Sequence, residues 1–206
     1  LYFHNTTQEF FTMRLATAVT ILSILSACPK MEMESRPDEN LDWACGRGEA
    51  EACTELGKRE YQYKDWPVAA DLYQKGCDSN DAAGCCRLGE MQWGAKGIPK
   101  DLVQAEKNQR KACTLQSAKC CDNVGLMYAT NLVEGKNYDD ARPFFETACE
   151  AGHNRSCYNI GLMYHQGHGS VEKDESKAAP LYRTACDGGF KMACYNLAIP
   201  YQYGQG

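Results

Sequence analysis

The chain has 206 residues, 44% of them hydrophobic, and a net charge of −5 with acidic and basic residues interspersed. No basic stripe is present, which argues against nucleic acid as a partner. Thirteen cysteines, most at regular spacing, read as a disulfide framework in an oxidising compartment.

Residues 1–12 do not begin with Met and resemble nothing later in the chain, so they read as a spurious or upstream extension. From Met13 the character changes. Arg14 supplies a positive charge, and residues 15–25 form a mostly apolar run. That run is too short for a mature membrane span and suits the core of a signal peptide, assigned to 13–27. It ends in Leu25-Ser26-Ala27-Cys28, which resembles the bacterial lipoprotein box. The resemblance implies cleavage before Cys28, acylation of that cysteine, and anchoring at the periplasmic side of the cell envelope, with secretion as the alternative. Residues 28–40 are polar without an apolar period and read as a flexible tether.

From residue 41 to 206 the chain repeats. A Cys-x7-Cys spacing occurs five times, at Cys45/Cys53, Cys77/Cys85, Cys113/Cys121, Cys149/Cys157 and Cys186/Cys194. A period of about 36 residues without strand signals means stacked helix pairs. In each repeat, helix A surrounds the second cysteine and helix B ends at the next first cysteine. Asp65, Asp101, Asp139 and Asp174 fall near the starts of B helices, where a carboxylate suits the cap and first turn. Gly48, Asn80, Gly152 and Gly189 stand three after a first cysteine, as left-handed C-cap residues do. Ala69, Ala105, Ala141 and Ala178 stand eight before a first cysteine, and Gly57, Gly89, Gly125 and Gly161 four after a second. Small residues at fixed places point to close helix contact. Pro143 and Pro180 fall inside B helices, where proline is expected to kink the helix or delay its start. The repeats stop before a fifth B helix, so the chain reads as about 4.5 repeats, the last one incomplete.

The pattern A-C-x7-C-x-x-L-G-x-x-Y…D-x-x-K-A…Y-x-x-A-C resembles the cysteine-rich Sel1-like repeat, a relative of the tetratricopeptide repeat, and is most similar to the Helicobacter cysteine-rich protein family. Gln109 and Asn131-Leu132-Val133 depart from it. The resemblance implies an all-α, right-handed α-solenoid of αα-hairpins, each closed by one disulfide. It also implies a protein- or peptide-binding module or scaffold, with a weak penicillin-binding or β-lactamase activity as the alternative. Because the turn between helix B and the next helix A is short, each Cys-x7-Cys is expected to bond internally. Cys86 and Cys120 remain, and either bond each other or stay as thiols.

Chemistry-bearing motifs are sparse. Ser170-Val171-Glu172-Lys173 matches Ser-x-x-Lys but has no Lys-Thr-Gly or Ser-Asp-Asn companion. His165 and His168 lack a third ligand for zinc. No catalytic residue, metal site or cofactor is assigned. The binding expectation rests on helix geometry. At 100° per residue, positions two after and two before the second cysteine lie at about 200° and about 160° from it, away from the packed side. They hold Arg87, Asn123, Asn159 and Asn196, and Lys119 and Arg155. In tetratricopeptide-like superhelices this face lines the concave groove, which implies a ladder for an extended peptide or a peptide-bearing cell-wall fragment.

Overall fold

The computed structural model describes the backbone of residues 37–202 and the side chains of residues 40–198. The expected extension, the signal peptide, Cys28 and most of the tether lie outside the described residues. Within them the fold is all-α, with ten helices and no strand. They are α1 (Pro37–Gly46), α2 (Ala50–Tyr63), α3 (Trp66–Asp78), α4 (Ala82–Gly94), α5 (Leu102–Thr114), α6 (Ala118–Ala129), α7 (Tyr138–Glu150), α8 (Asn154–Gln166), α9 (Glu175–Asp187) and α10 (Lys191–Gln202). Even-numbered helices are A helices and odd-numbered ones are B helices. Residues from Leu41 onward form one unit. From α2 onward each helix packs chiefly on its neighbours in sequence, so the core is a row of clusters, as in a solenoid. No helix among the described residues is long and apolar enough to cross a membrane.

The caps follow from side-chain chemistry. Asp65, Asp101 and Asp174 accept backbone N–H bonds at the starts of α3, α5 and α9. In α7 the cap is Asn137, which forms a capping box with Asp140. Asp139 sits inside the first turn of α7, and its carboxylate instead accepts from the Ser170 hydroxyl (2.7 Å) and backbone N–H (2.8 Å) of the next repeat. The turn from each B helix to the next A helix passes through a left-handed residue: Gly48, Asn80, Gln116, Gly152 and Gly189. Gln116 adopts it without the freedom of glycine or the local bonding of asparagine. Helices α7 and α9 run through Pro143 and Pro180, and each starts five residues before its proline. Four residues on, Thr147 and Thr184 donate to the two proline carbonyls (2.9 and 3.0 Å).

The recurrent small residues mark where A and B helices meet. Ala69, Ala105, Ala141 and Ala178 are fully buried. A Cβ built on Gly57, Gly125 or Gly161 would fall 2.5–2.7 Å from the ring of Tyr73, Phe145 or Tyr182, and one on Gly89 would fall 2.8 Å from Gln109. Each of these partners stands four before a first cysteine. The glycine removes a side chain so that a large one from helix B can lie against the A-helix backbone.

Five disulfides join Cys45–Cys53, Cys77–Cys85, Cys113–Cys121, Cys149–Cys157 and Cys186–Cys194, with Cα separations of 4.4–4.8 Å. Each ties a B helix to the following A helix across its turn. A sixth, Cys86–Cys120, spans 34 residues and joins helix α4 to helix α6, one repeat to the next.

Candidate binding face of the A helices

Neighbouring A helices touch through a fixed pair of positions: one after a second cysteine, and one before the next second cysteine. Between α2 and α4 the pair is Thr54 and Gly84, where a Cβ on Gly84 would come within 2.7 Å of the Thr54 hydroxyl oxygen. Between α4 and α6 it is the Cys86–Cys120 disulfide. Between α6 and α8 it is Asp122 and Ser156, whose hydroxyl donates to the carboxylate (2.5 Å). Between α8 and α10 it is Tyr158 and Ala193, within one apolar cluster. One structural position thus holds a hydroxyl, a covalent bond, a charge and a ring in successive repeats.

Asp122 and Ser156 are both fully buried. Burying a carboxylate is costly unless its oxygens are well paired. Asp122 meets that need with Arg155, whose Nε donates at 2.6 Å, with the Ser156 hydroxyl, and with the Asn159 amide at 3.3 Å. His153, which precedes α8, lies 3.0 Å from the Ser156 oxygen. Burial lowers its pKa, against the pull of Asp122 and with help from Arg155 and Lys119. A neutral His153 therefore donates from Nδ1 to Ser156, which passes its own proton bond to Asp122.

The preceding interface carries a second polar network. Gln109 stands where other repeats place an aromatic ring and is fully buried. Its amide donates to the Cys86 carbonyl (3.1 Å), and its oxygen accepts from Asn123 (3.2 Å). Glu90 receives Lys119 (2.5 Å), Arg87 (3.2 Å) and Asn123 (3.4 Å).

These networks revise the expected ladder. Asn123 does not face away from the packed side: it is 5% exposed and bonded to Glu90, Gln109 and Arg155. Asn159 is half-buried and holds Asp122. Asn196 is half-buried beside the Tyr182 hydroxyl, which is itself buried without a partner of hydrogen-bonding geometry among the described residues. The helical wheel placed these asparagines outward because it treated each A helix alone; a second A helix lies against that flank. The cations of the set do reach solvent. The side chains of Arg87, Lys119 and Arg155 are 48%, 49% and 40% exposed, each held by Glu90 or Asp122. Asp122, Ser156, Glu90 and His153 are absent from the set expected from sequence. Aligning the repeats on their second cysteines reveals the pair, since Cys86 and Asp122, then Cys120 and Ser156, fall in register.

The motifs with catalytic resemblance sit in other settings. Ser170 donates its hydroxyl to Asp139, whose carboxyl those bonds hold below the usual carboxylate range, which makes it a poor base. Lys173 lies 3.8 Å from Glu175. His165 pairs with Glu175, whereas His168 stacks on Tyr138 and contacts Gln166. Among the described residues no three His, Cys, Asp or Glu side chains gather as a metal would need.

Stacked αα-hairpins with a polar A-helix face and a disulfide across each turn from helix B to helix A define a helical-repeat solenoid, the architecture of protein–protein interaction modules. The Sel1 repeat model matches residues 82–117, 118–153, 154–190 and 191–206, and the chain belongs to the Sel1 repeat family. In sequence it is 37% identical over 86 residues to cytochrome c oxidase assembly factor 7A of Xenopus laevis, covering 41% of this chain and 37% of that protein. The chain spans between about a third and a half of the length of the curated relatives it matches. Among solved structures it is similar to a Sel1 repeat protein of Oxalobacter formigenes (TM-score 0.69, 29% identity, 76% of this chain and 64% of that one). It also shares the fold of c5321, a protective antigen of uropathogenic Escherichia coli (TM-score 0.73, 22% identity, 80% of this chain and 36% of that one). Helicobacter pylori cysteine-rich protein B is a further neighbour at a TM-score of 0.48 and 25% identity, covering 70% of this chain and 96% of that one.

Proposed function

We infer that this protein is an interaction module whose A-helix face receives an acidic, extended stretch of polypeptide, free or carried on a cell-wall fragment. The observation that supports this reading is the row Arg87, Lys119 and Arg155. These three cations stand on successive A helices, and each is fixed by a carboxylate rather than left to swing. A long cationic side chain loses rotamer entropy on binding, and a preset one has already lost much of it. Of the asparagines expected to read the peptide, Asn123 and Asn159 instead stand as struts behind these cations. The disulfides and the Leu25-Ser26-Ala27-Cys28 box support a setting in the bacterial envelope, on the periplasmic side, with attachment through lipid on Cys28.

The test is a pull-down from envelope extract with purified protein and with the Arg87→Gln/Lys119→Gln double variant, whose helicity is checked by circular dichroism. Both residues are half-exposed, so the fold should survive. Expected is a captured polypeptide that is lost with the double variant and released by salt. Equal capture by both proteins would place the binding surface elsewhere.

A further inference from the structure

Between the first two A helices lies a cavity of about 380 Å³, lined in part by Lys58 and Tyr61 of α2, Tyr73 of α3, Arg87 and Glu90 of α4, and Lys96 just after α4. Its electrostatics run against the chain, whose net charge is −5. Lys58 is offset by Glu55 (2.5 Å), while Glu90 is shared by Arg87 and Lys119. Lys96 lies over the Tyr61 ring, 4.9 Å from its centre, with no carboxylate partner among the described residues. The charged residues that line the opening are therefore three cations, Lys58, Arg87 and Lys96, and one carboxylate, Glu90.

Tyr73 adds a directional group. Its ring is 1% exposed and packed on Gly57. Its hydroxyl makes no hydrogen bond among the described residues, yet the side chain lines the cavity. Burial pushes the phenol up to about 12, so at neutral pH it is a donor in need of an acceptor. With no partner among the described residues, the Tyr73 hydroxyl is placed to offer its proton to a guest in the cavity.

The equivalent slots in later repeats lack this combination. The next has Gln109 in place of Tyr73, already bonded to the Cys86 carbonyl and Asn123. The one after has Phe145, with no hydroxyl, and Leu126 and Leu162 where the first slot has Lys58 and Glu90. The last has Tyr182, but with Leu162 where the first slot has Lys58.

We propose that the cavity between α2 and α4 is a carboxylate-binding subsite, in which the Tyr73 hydroxyl and the Arg87 and Lys96 cations hold a carboxylate of the bound polypeptide. This rests on the reading of the A-helix face as a polypeptide-binding surface and adds where its acidic anchor sits. A carboxylate offers acceptor lone pairs to the phenol and to the guanidinium together. It also brings the negative charge that Lys96 lacks. Both a chain-terminal carboxylate and an Asp or Glu side chain supply this chemistry.

The experiment uses the purified protein, labelled with ¹⁵N, and small probes in place of a partner. N-acetylglycine stands for a chain terminus, N-acetylaspartate α-amide for an acidic side chain, and N-acetylglycine amide is the neutral control. Saturable shifts at the Arg87 side-chain N–H and the Gly94 and Lys96 amides are expected with one or both acids and not with the amide; which acid binds tighter identifies the source. Tyr73→Phe keeps the ring on Gly57 and should weaken binding about tenfold, as loss of a bond to a charged group does. Lys96→Gln should weaken it too. Shifts that fail to saturate, that appear equally with the amide, or that persist unchanged in Tyr73→Phe would overturn the proposal. Because the probes need no partner, silence here together with a cation-dependent pull-down would reject the subsite and leave the binding face standing.

Discussion

Replacing Gly125 by alanine tests the packing rule on which the array is built. The new Cβ would fall 2.5, 2.6 and 2.9 Å from three carbons of the Phe145 ring. Carbon atoms rest at about 3.5–4.0 Å, so the ring must retreat by about 1 Å. It has little room, since Phe145 is 2% exposed and shares a cluster with Val124, Ala141 and Ile160. Overpacking of this kind costs about 1–3 kcal/mol. Alanine recovers about 1 kcal/mol of helix propensity over glycine, which leaves a net loss of about 1 kcal/mol, and about 2 at most. Urea unfolding followed by circular dichroism reads this directly. The same substitution in a Phe145→Leu background should cost less, and the difference between the two is the coupling energy of the contact. If Gly125→Ala stabilised the protein by the full propensity gain of about 1 kcal/mol with Phe145 intact, the recurrence of glycine at this position would have no steric basis.

Reducing the inter-repeat staple by Cys86→Ser/Cys120→Ser should destabilise by about 4 kcal/mol on chain entropy, against about 2.5 kcal/mol for Cys149→Ser/Cys157→Ser, because the closed loop is longer; paired urea midpoints check the order. His153 has its pKa lowered from 6.5 by burial, so the unfolded chain binds the proton more readily than the folded one. Stability should then be level above that ordinary value and fall as pH drops below it toward the folded pKa, and His153→Asn should flatten the profile measured by urea midpoint against pH. Cys28→Ser should release the protein from the membrane fraction or block its processing; unchanged fractionation on immunoblots would reject the lipid-anchor reading.

The repeat was legible because packing writes it at fixed offsets. Glycine four after a second cysteine, alanine eight before a first, and left-handed residues three after a first all report backbone constraints that side-chain context rarely overrides. The turn disulfides were legible for the same reason, since eight residues of separation around one tight turn leave little freedom. The A-helix face was harder. Helical angle alone assigned Asn123 to solvent, yet that side chain is enclosed by Gln109, Glu90 and Arg155, all distant in sequence. Which residue covers a helix flank depends on the lateral spacing of neighbouring A helices, and a single-helix projection does not carry that spacing. Pro143 and Pro180 show the same limit. Each helix is already formed five residues before its proline and continues beyond it, where proline alone is expected to kink the helix or delay its start.

The claim that the A-helix face is where this protein meets its partner is tested most directly by site-specific photo-crosslinking in cells. A photoreactive residue replaces Lys119 on the A face in one strain and Val103, 73% exposed on helix α5, in another. The account predicts a discrete crosslinked polypeptide from position 119, diminished when Arg87→Gln is added, and none from position 103. A crosslink from 103 with none from 119 would contradict it.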